Sequence, residues 1–227
     1  MSSQVYKSLN EISCQYKLIL IDSSALTRPI DAIDYSSKIE DKIIATKRNY
    51  DSAIFFGEFM KNNNNLYTTS NMLTEFLRGS NYHFKSKLKV HQKDEKKRRI
   101  SGVKNDNLIL NLIRLRNKEC KARRSLVDFF EQNGKIIDLD KSEKEEVYPY
   151  FQEKIKKNYP LTTASLDFLV LGATISINRG NIELITSSPK LIKSWADLVI
   201  KEDTLTSQTF RLFIREDLDR FKMILLQ

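Results

Sequence analysis

Three acidic residues occupy positions from which a carboxylate can do chemistry. Asp22 ends the apolar run Lys17-Leu-Ile-Leu-Ile, Glu75 follows the β-forming Leu66-Tyr-Thr-Thr69, and Asp167 is the only charge in LTTASLDFLVLGATISI. Sites in open α/β sheets form outside the carboxyl ends of the strands, and Asp22 and Glu75 fall at two such ends. The competing use of an Asp there is an Asx turn or a helix cap. Asp167 is the more diagnostic acid. A helix apolar all round is buried, and an isolated buried carboxylate costs several kcal/mol unless something compensates it. The compensating group is a backbone N–H near the helix start, a basic side chain or a metal ion. Three carboxylates entering one cleft repel one another unless a divalent cation lies between them. Few, hard oxygen donors suit Mg²⁺ or Mn²⁺.

The elements that must position these acids follow from local pattern. The run 17–22 suits a strand buried on both faces, and 66–69 and 182–186 read as further strands, with 135–139 and 197–200 as two more. Helical spacing runs through Ile39, Ile43, Ile44, Tyr50, Ile54 and Phe55, up to the breaker Asn62–Asn65. Ser70 or Asn71 is placed to cap a helix holding Met72, Glu75 and Phe76. Further helices are expected over 105–132, with Gly134 at its C-terminal cap, and over 141–157, 166–177 and 209–226. Strands alternating with helices imply right-handed βαβ units. The expected architecture is a three-layer α/β fold, a central, mostly parallel sheet flanked by helices. The chain reads as one domain, 1–227, carrying a basic loop and helical insertion at 79–132.

The formal charge of +9 is unevenly placed. Between Gly79 and Lys104 stand nine Lys or Arg and two acids, and from Arg114 to Arg124 six Lys or Arg and one Glu. A concentrated positive field recruits polyphosphates by releasing their counterions. A solvated loop and an exposed helix face account for the same residues without a partner. Cys14 and Cys120 have no ligand spacing or disulfide framework around them, the first residues do not read as a signal peptide, and the longest apolar stretch is short for a bilayer span. A reducing cytoplasm is the expected compartment, with no membrane.

ILIDSSAL around Asp22, TTSNMLTEFL around Glu75, LTTASLDFLVLGATI around Asp167 and IELITSSPKL around Thr186 together resemble the ordered blocks of PIN-domain nucleases. The resemblance runs from about 17 to 200, interrupted over 79–132. It implies a PIN-like fold and a metal-dependent ribonuclease in which Asp22, Glu75 and Asp167 are catalytic metal-site acids. Ser24, Thr186 and Ser188 are then supporting residues. Family members usually carry Thr, any residue, then Asp after the fourth strand; here Ser188 stands at that acid's position. The implied mechanism is Mg²⁺- or Mn²⁺-assisted phosphodiester hydrolysis. Lys96, Lys97, Arg98, Arg99, Arg123 and Arg124 are the expected contacts to RNA phosphates. Tyr82 and Phe84 are candidates to stack on bases, whereas His83 and His91 read as surface residues. The family also includes toxins held by antitoxins, so the resemblance allows a protein partner, and the exposed helices could support a homodimer.

Two other functions fit parts of the pattern. A PIN-like module lacking its fourth acid would bind nucleic acid without cleaving it. A haloacid-dehalogenase-like phosphatase would use Asp22 as nucleophile and Thr186 as its later hydroxyl. It needs a second Asp two residues after the nucleophile, where Ser24 stands, and it leaves Glu75 and Asp167 without a role.

Overall fold

The computed structural model describes residues 5–29, 32–78, 106–155, 161–179, 181–201 and 210–224. In chain order these form β1 (Tyr6–Lys7), α1 (Leu9–Gln15), β2 (Ile19–Ile21), α2 (Ser23–Leu26) and α3 (Ile39–Asn62). There follow β3 (Leu66–Tyr67), α4 (described over 70–78), α5 (Asp106–Gln132), α6 (Lys141–Ile155) and α7 (Thr163–Arg179). The last elements are β4 (Ile182–Thr186), α8 (Pro189–Lys201), β5 (Phe210–Asp217) and β6 (Arg220–Ile224).

The strands make one six-stranded sheet in the order β1-β6-β5-β4-β2-β3. β2 lies parallel to β3 on one side and to β4 on the other, and β4 is parallel to β5. β6 returns antiparallel to β5, and β1 adds antiparallel to β6. Every residue of β2 and β4 is buried, as expected of strands covered on both faces. Because side chains alternate across a strand, the sheet feeds two cores. Leu20, Leu184 and Leu212 meet Phe168, Leu191 and Trp195 of α7 and α8. Ile19, Ile21, Ile185 and Phe213 meet Phe56 of α3 and Leu126 and Phe130 of α5. The fold is therefore α/β with helices on both faces of a mixed sheet.

Several expectations are corrected. Residues 197–200 belong to α8, not a strand. Ser188 caps that helix, Pro189 occupies its first turn, and Leu191, Trp195 and Leu198 recur at helical spacing into the core. Within the segment 209–226, the described residues 210–224 form the β5–β6 hairpin instead of a helix. Leu212 and Phe213 are buried on opposite faces, so the run lacks the alternation that marks a strand. Residues 135–139 contribute only a bridge between Ile136 and Thr68. Three of the five strand pairings are parallel and the two made by β6 are antiparallel, so the sheet is mixed. The helical half of the segment read as an insertion, α5, packs on α3 and supplies Leu126, Val127 and Phe130 to the core. β1 and α1 were unanticipated, although Ser8 and Glu11 form a reciprocal capping box legible as S-x-x-E. Among the described residues, no helix is long and apolar enough to cross a membrane.

After α5, Gly134 takes φ 61°. The amide of Gly134 donates to the Glu131 carbonyl at 3.4 Å and that of Lys135 to the Phe130 carbonyl at 2.9 Å, a Schellman ending. A Cβ at Gly134 would meet no atom within 4 Å, so substitution tests the backbone alone. Gly134→Ala is expected to lower stability by about 1 kcal/mol. Gly57→Ala, equally unobstructed but inside α3, is expected to raise it by up to about 1 kcal/mol. Urea denaturation of the two variants should show shifts of opposite sign.

Candidate active site

β2 delivers Asp22 to the carboxyl edge of the sheet, where its amide donates to the Ile185 carbonyl at 3.0 Å. The Asp22 side chain is 1% exposed. It caps α2 by accepting from the Ala25 amide at 2.7 Å, so the cap reading and the site reading are both true of one carboxylate. Ser24 donates to its two oxygens at 2.8 and 2.9 Å, and Thr186 donates to Oδ2 at 2.5 Å.

Each of those hydroxyls is itself oriented by the turn after β4. The Ser187 amide donates to Ser24 Oγ and the Ser188 amide to Thr186 Oγ1, both at 2.9 Å. These amides lie at the N-terminal end of α8, whose dipole favours negative charge. Two relays therefore run from amide to hydroxyl to carboxylate. Ser188 contributes through its backbone. Its hydroxyl accepts from the Leu191 amide at 3.4 Å and caps α8.

The far end of α2 is fixed by Arg215, which motif reading missed. It is 1% exposed, donates through Nη1 to the Ala25 carbonyl at 2.6 Å and to the Thr27 carbonyl, and also reaches Ser52 Oγ at 2.7 Å. It lies 4.9 Å over the Phe56 ring. Burial lowers its pKa to about 10. Ser52 adds donation to the Leu26 carbonyl at 2.8 Å. The orphan carbonyls of a four-residue helix are thereby satisfied. The available signal was an Arg inside the apolar run FRLFIRED, which burial in a strand would force to find acceptors.

α4 carries Glu75, and its Asn71 reaches Asp167. Thr69, and not Ser70 or Asn71, caps that helix, its hydroxyl accepting from the Met72 amide at 3.2 Å. Asn71 and Glu75 are four residues apart and share a helix face. Ser23 donates to Glu75 at 3.1 Å, which sets Glu75 beside Asp22. Asn71 donates to Asp167 Oδ2, and the Lys144 ammonium of α6 stands 3.7 Å from the same oxygen. Asp167 is 7% exposed, and its burial is compensated by this amide and ammonium.

Burial pushes the Asp22 carboxyl up to about 6; the bonds from Thr186, Ala25 and Ser24 oppose that rise and the Glu75 charge adds to it. Among the described residues, no group of three or more Asp, Glu, His or Cys side chains converges closely enough to hold a metal ion. The arrangement is a carboxylate pair, Asp22 with Glu75, and an outlier, Asp167, drawn aside by Asn71 and Lys144. Mg²⁺ commonly takes one or two carboxylates from a protein and completes its shell with water and phosphate. Two crowded acids with serine hydroxyls nearby fit that demand.

The expected phosphate contacts divide. Lys96, Lys97, Arg98 and Arg99 lie outside the described residues, as do Tyr82, His83, Phe84 and His91. Arg124 is exposed. Arg123 is 3% exposed, ion-paired to Glu119 at 2.8 Å and bonded to the Phe76 carbonyl at 2.8 Å. It faces inward because a helix with cations on every side must bury some of them, and so it supports α4 instead of meeting solvent. No family model, curated protein or solved structure matches this chain.

The Asp22 carboxyl titrates near 6 when folded and near 3.8 ordinarily. Between these values the folded state binds the Asp22 proton more tightly, so the contribution of Asp22 to stability falls as pH rises from about 4 to about 6. Asp22→Asn is expected to flatten that fall and to be more stable than the parent at pH 7, by about 1–3 kcal/mol. Urea denaturation at pH 4, 5, 6 and 7 checks both, and a variant less stable at pH 7 would sink the assignment.

Proposed function

We propose that this chain is a PIN-like, metal-dependent phosphodiesterase that cleaves RNA internally. The observation that carries the reading is the buried Asp22 carboxylate, held at a strand end beside Glu75 with its pKa raised to about 6. Such a site gains when a divalent cation replaces lost water around the charge. Asp22 and Glu75 would hold Mg²⁺ or Mn²⁺, with Asp167 reachable once it leaves Lys144. A cation there supplies Lewis acidity, acidifying water and offsetting charge on a scissile phosphate.

The chain's own residues supply the rest. Ser24 and Thr186 keep the Asp22 oxygens in one orientation, and Asn71 holds the Asp167 carboxylate by its amide. Lys144, 38% exposed on its side chain, is free to meet a phosphate oxygen when Asp167 turns away. A reducing cytoplasm, a protein partner such as an antitoxin, and a homodimer belong to the same reading.

A non-catalytic nucleic-acid-binding module is the second reading, favoured by one observation: the Ser188 hydroxyl caps α8 and brings no fourth ligand. The two readings separate on metal. If the first holds, Mn²⁺ raises the melting temperature of the parent but not of Asp22→Asn. The parent then cleaves unstructured RNA only with Mn²⁺ or Mg²⁺, and Asp22→Asn loses at least about 100-fold in rate. A parent that neither shifts with Mn²⁺ nor cleaves RNA rejects the enzyme.

A further inference from the structure

The six cations between Arg114 and Arg124 sort onto two opposite faces of α5. Arg116 and Arg123 point inward, 6% and 3% exposed, and clasp Glu119, which is fully buried. Arg114, Lys118, Lys121 and Arg124 are all exposed. On a helix of 3.6 residues per turn these four fall within an arc of about 120°, opposite Leu112, Leu126 and Phe130, and span about 15 Å of axis. Glu119 is the only acid from Asn107 to Val127, so the outer face carries no acidic side chain over that length. None of the four cations has a carboxylate partner among the described residues.

A groove of about 350 Å³ opens on the same face; among the described residues it is lined by Asn111, Arg114, Leu115, Asn117 and Lys118. Two cations and two amides are the donor set that a phosphodiester and its sugar take up. Exposed cations that lack carboxylates repel one another, and a partner with regularly spaced negative charge relieves that repulsion.

We propose that the outer face of α5, through Arg114, Lys118, Lys121 and Arg124, is a docking track for the phosphate backbone of a single nucleic-acid strand. A membrane surface fits less well. Helices that lie in a bilayer interface carry Trp, Phe and Leu beside their cations; here the flanking positions are Asn107, Asn111 and Asn117, and Leu110 is the one large exposed hydrophobic on the helix among the described residues. The track reads charge and spacing and not base identity. It goes beyond the catalytic proposal and stands without it, because no step of it uses the carboxylates.

The test is fluorescence anisotropy with a labelled 20-nucleotide strand, as RNA and as DNA of one sequence, in EDTA across 50–200 mM salt. The full chain is compared with a variant carrying Arg114→Gln, Lys118→Gln, Lys121→Gln and Arg124→Gln. All four positions are exposed, and an unchanged melting curve shows that the variant folds. The expected result is at least about a tenfold loss of affinity at 100 mM salt, with the plot of log K against log salt shallower by about 3. A control with four exposed cations replaced elsewhere, Lys38→Gln, Lys47→Gln, Lys61→Gln and Lys141→Gln, should stay within about twofold of the parent. Unchanged affinity and slope in the α5 variant, or an equal loss in the control, would overturn the track. So would α5-dependent binding to phosphatidylserine vesicles without binding to either strand. EDTA removes metal from this assay, so a failed track and a failed nuclease are told apart: the Mn²⁺ experiments read the carboxylates, and this one reads α5.

Discussion

Burial of the Asp22 carboxylate is the constraint around which the sheet edge is organised. Taking that charge out of water costs several kcal/mol unless donors replace the lost solvent. The donors come from two distant parts of the chain: Ala25 and Ser24 in α2, and Thr186 at the end of β4, with the amides of Ser187 and Ser188 orienting the two hydroxyls. Those bonds hold the pKa down against burial and the neighbouring Glu75, yet it remains about 6. α2, β4 and α8 are thus oriented by one another through a single side chain. Arg215 performs the complementary task for the other end of α2, where carbonyls and not a carboxylate need partners.

The same logic of compensation orders the other flank of the site. α4 carries both Asn71 and Glu75, and it is fixed at two points by different means. Thr69 caps its start, and Asp138 accepts from the Ser70 amide at 3.0 Å. Nearly two turns further on, Arg123 takes the Phe76 carbonyl and lies 4.5 Å over the Phe76 ring. Glu119 neutralises part of the cationic pair behind it. A segment that looks uniformly basic in sequence therefore holds two functions, an inner clamp on α4 and an outer charged face.

What was legible in the sequence was local. The apolar run before Asp22, the strand at Ile182–Thr186 and the long helices carry patterns that need no distant contact to be recognised, and the Schellman glycine announces itself. What was not legible depended on partners far along the chain. Residues 197–200 carry strand formers, but the core contacts of Leu191, Trp195 and Leu198 decide for helix. The β5 run is buried on both faces and turns back through Leu218–Asp219 without the Gly that marks many hairpins. Asp22 and Asp167 were recognisable as acids in apolar surroundings. That Asn71 and Lys144 would engage Asp167, that Arg123 would face inward and that Ser188 would act through its backbone are consequences of packing.

The long span between Asp22 and its partners also has a meaning in time. Thr186 lies 164 positions after Asp22, and Arg215 contacts Ala25 across 190. At ribosomal speeds of about 5–20 residues per second, roughly 10–40 s separate synthesis of the acid from synthesis of the last group that anchors its helix. β2 also lacks its neighbour β4 for most of that interval. A nascent chain therefore carries Asp22 as an ordinary solvated carboxylate, and the desolvated form with its anchored helix exists only once the closing hairpin has been made.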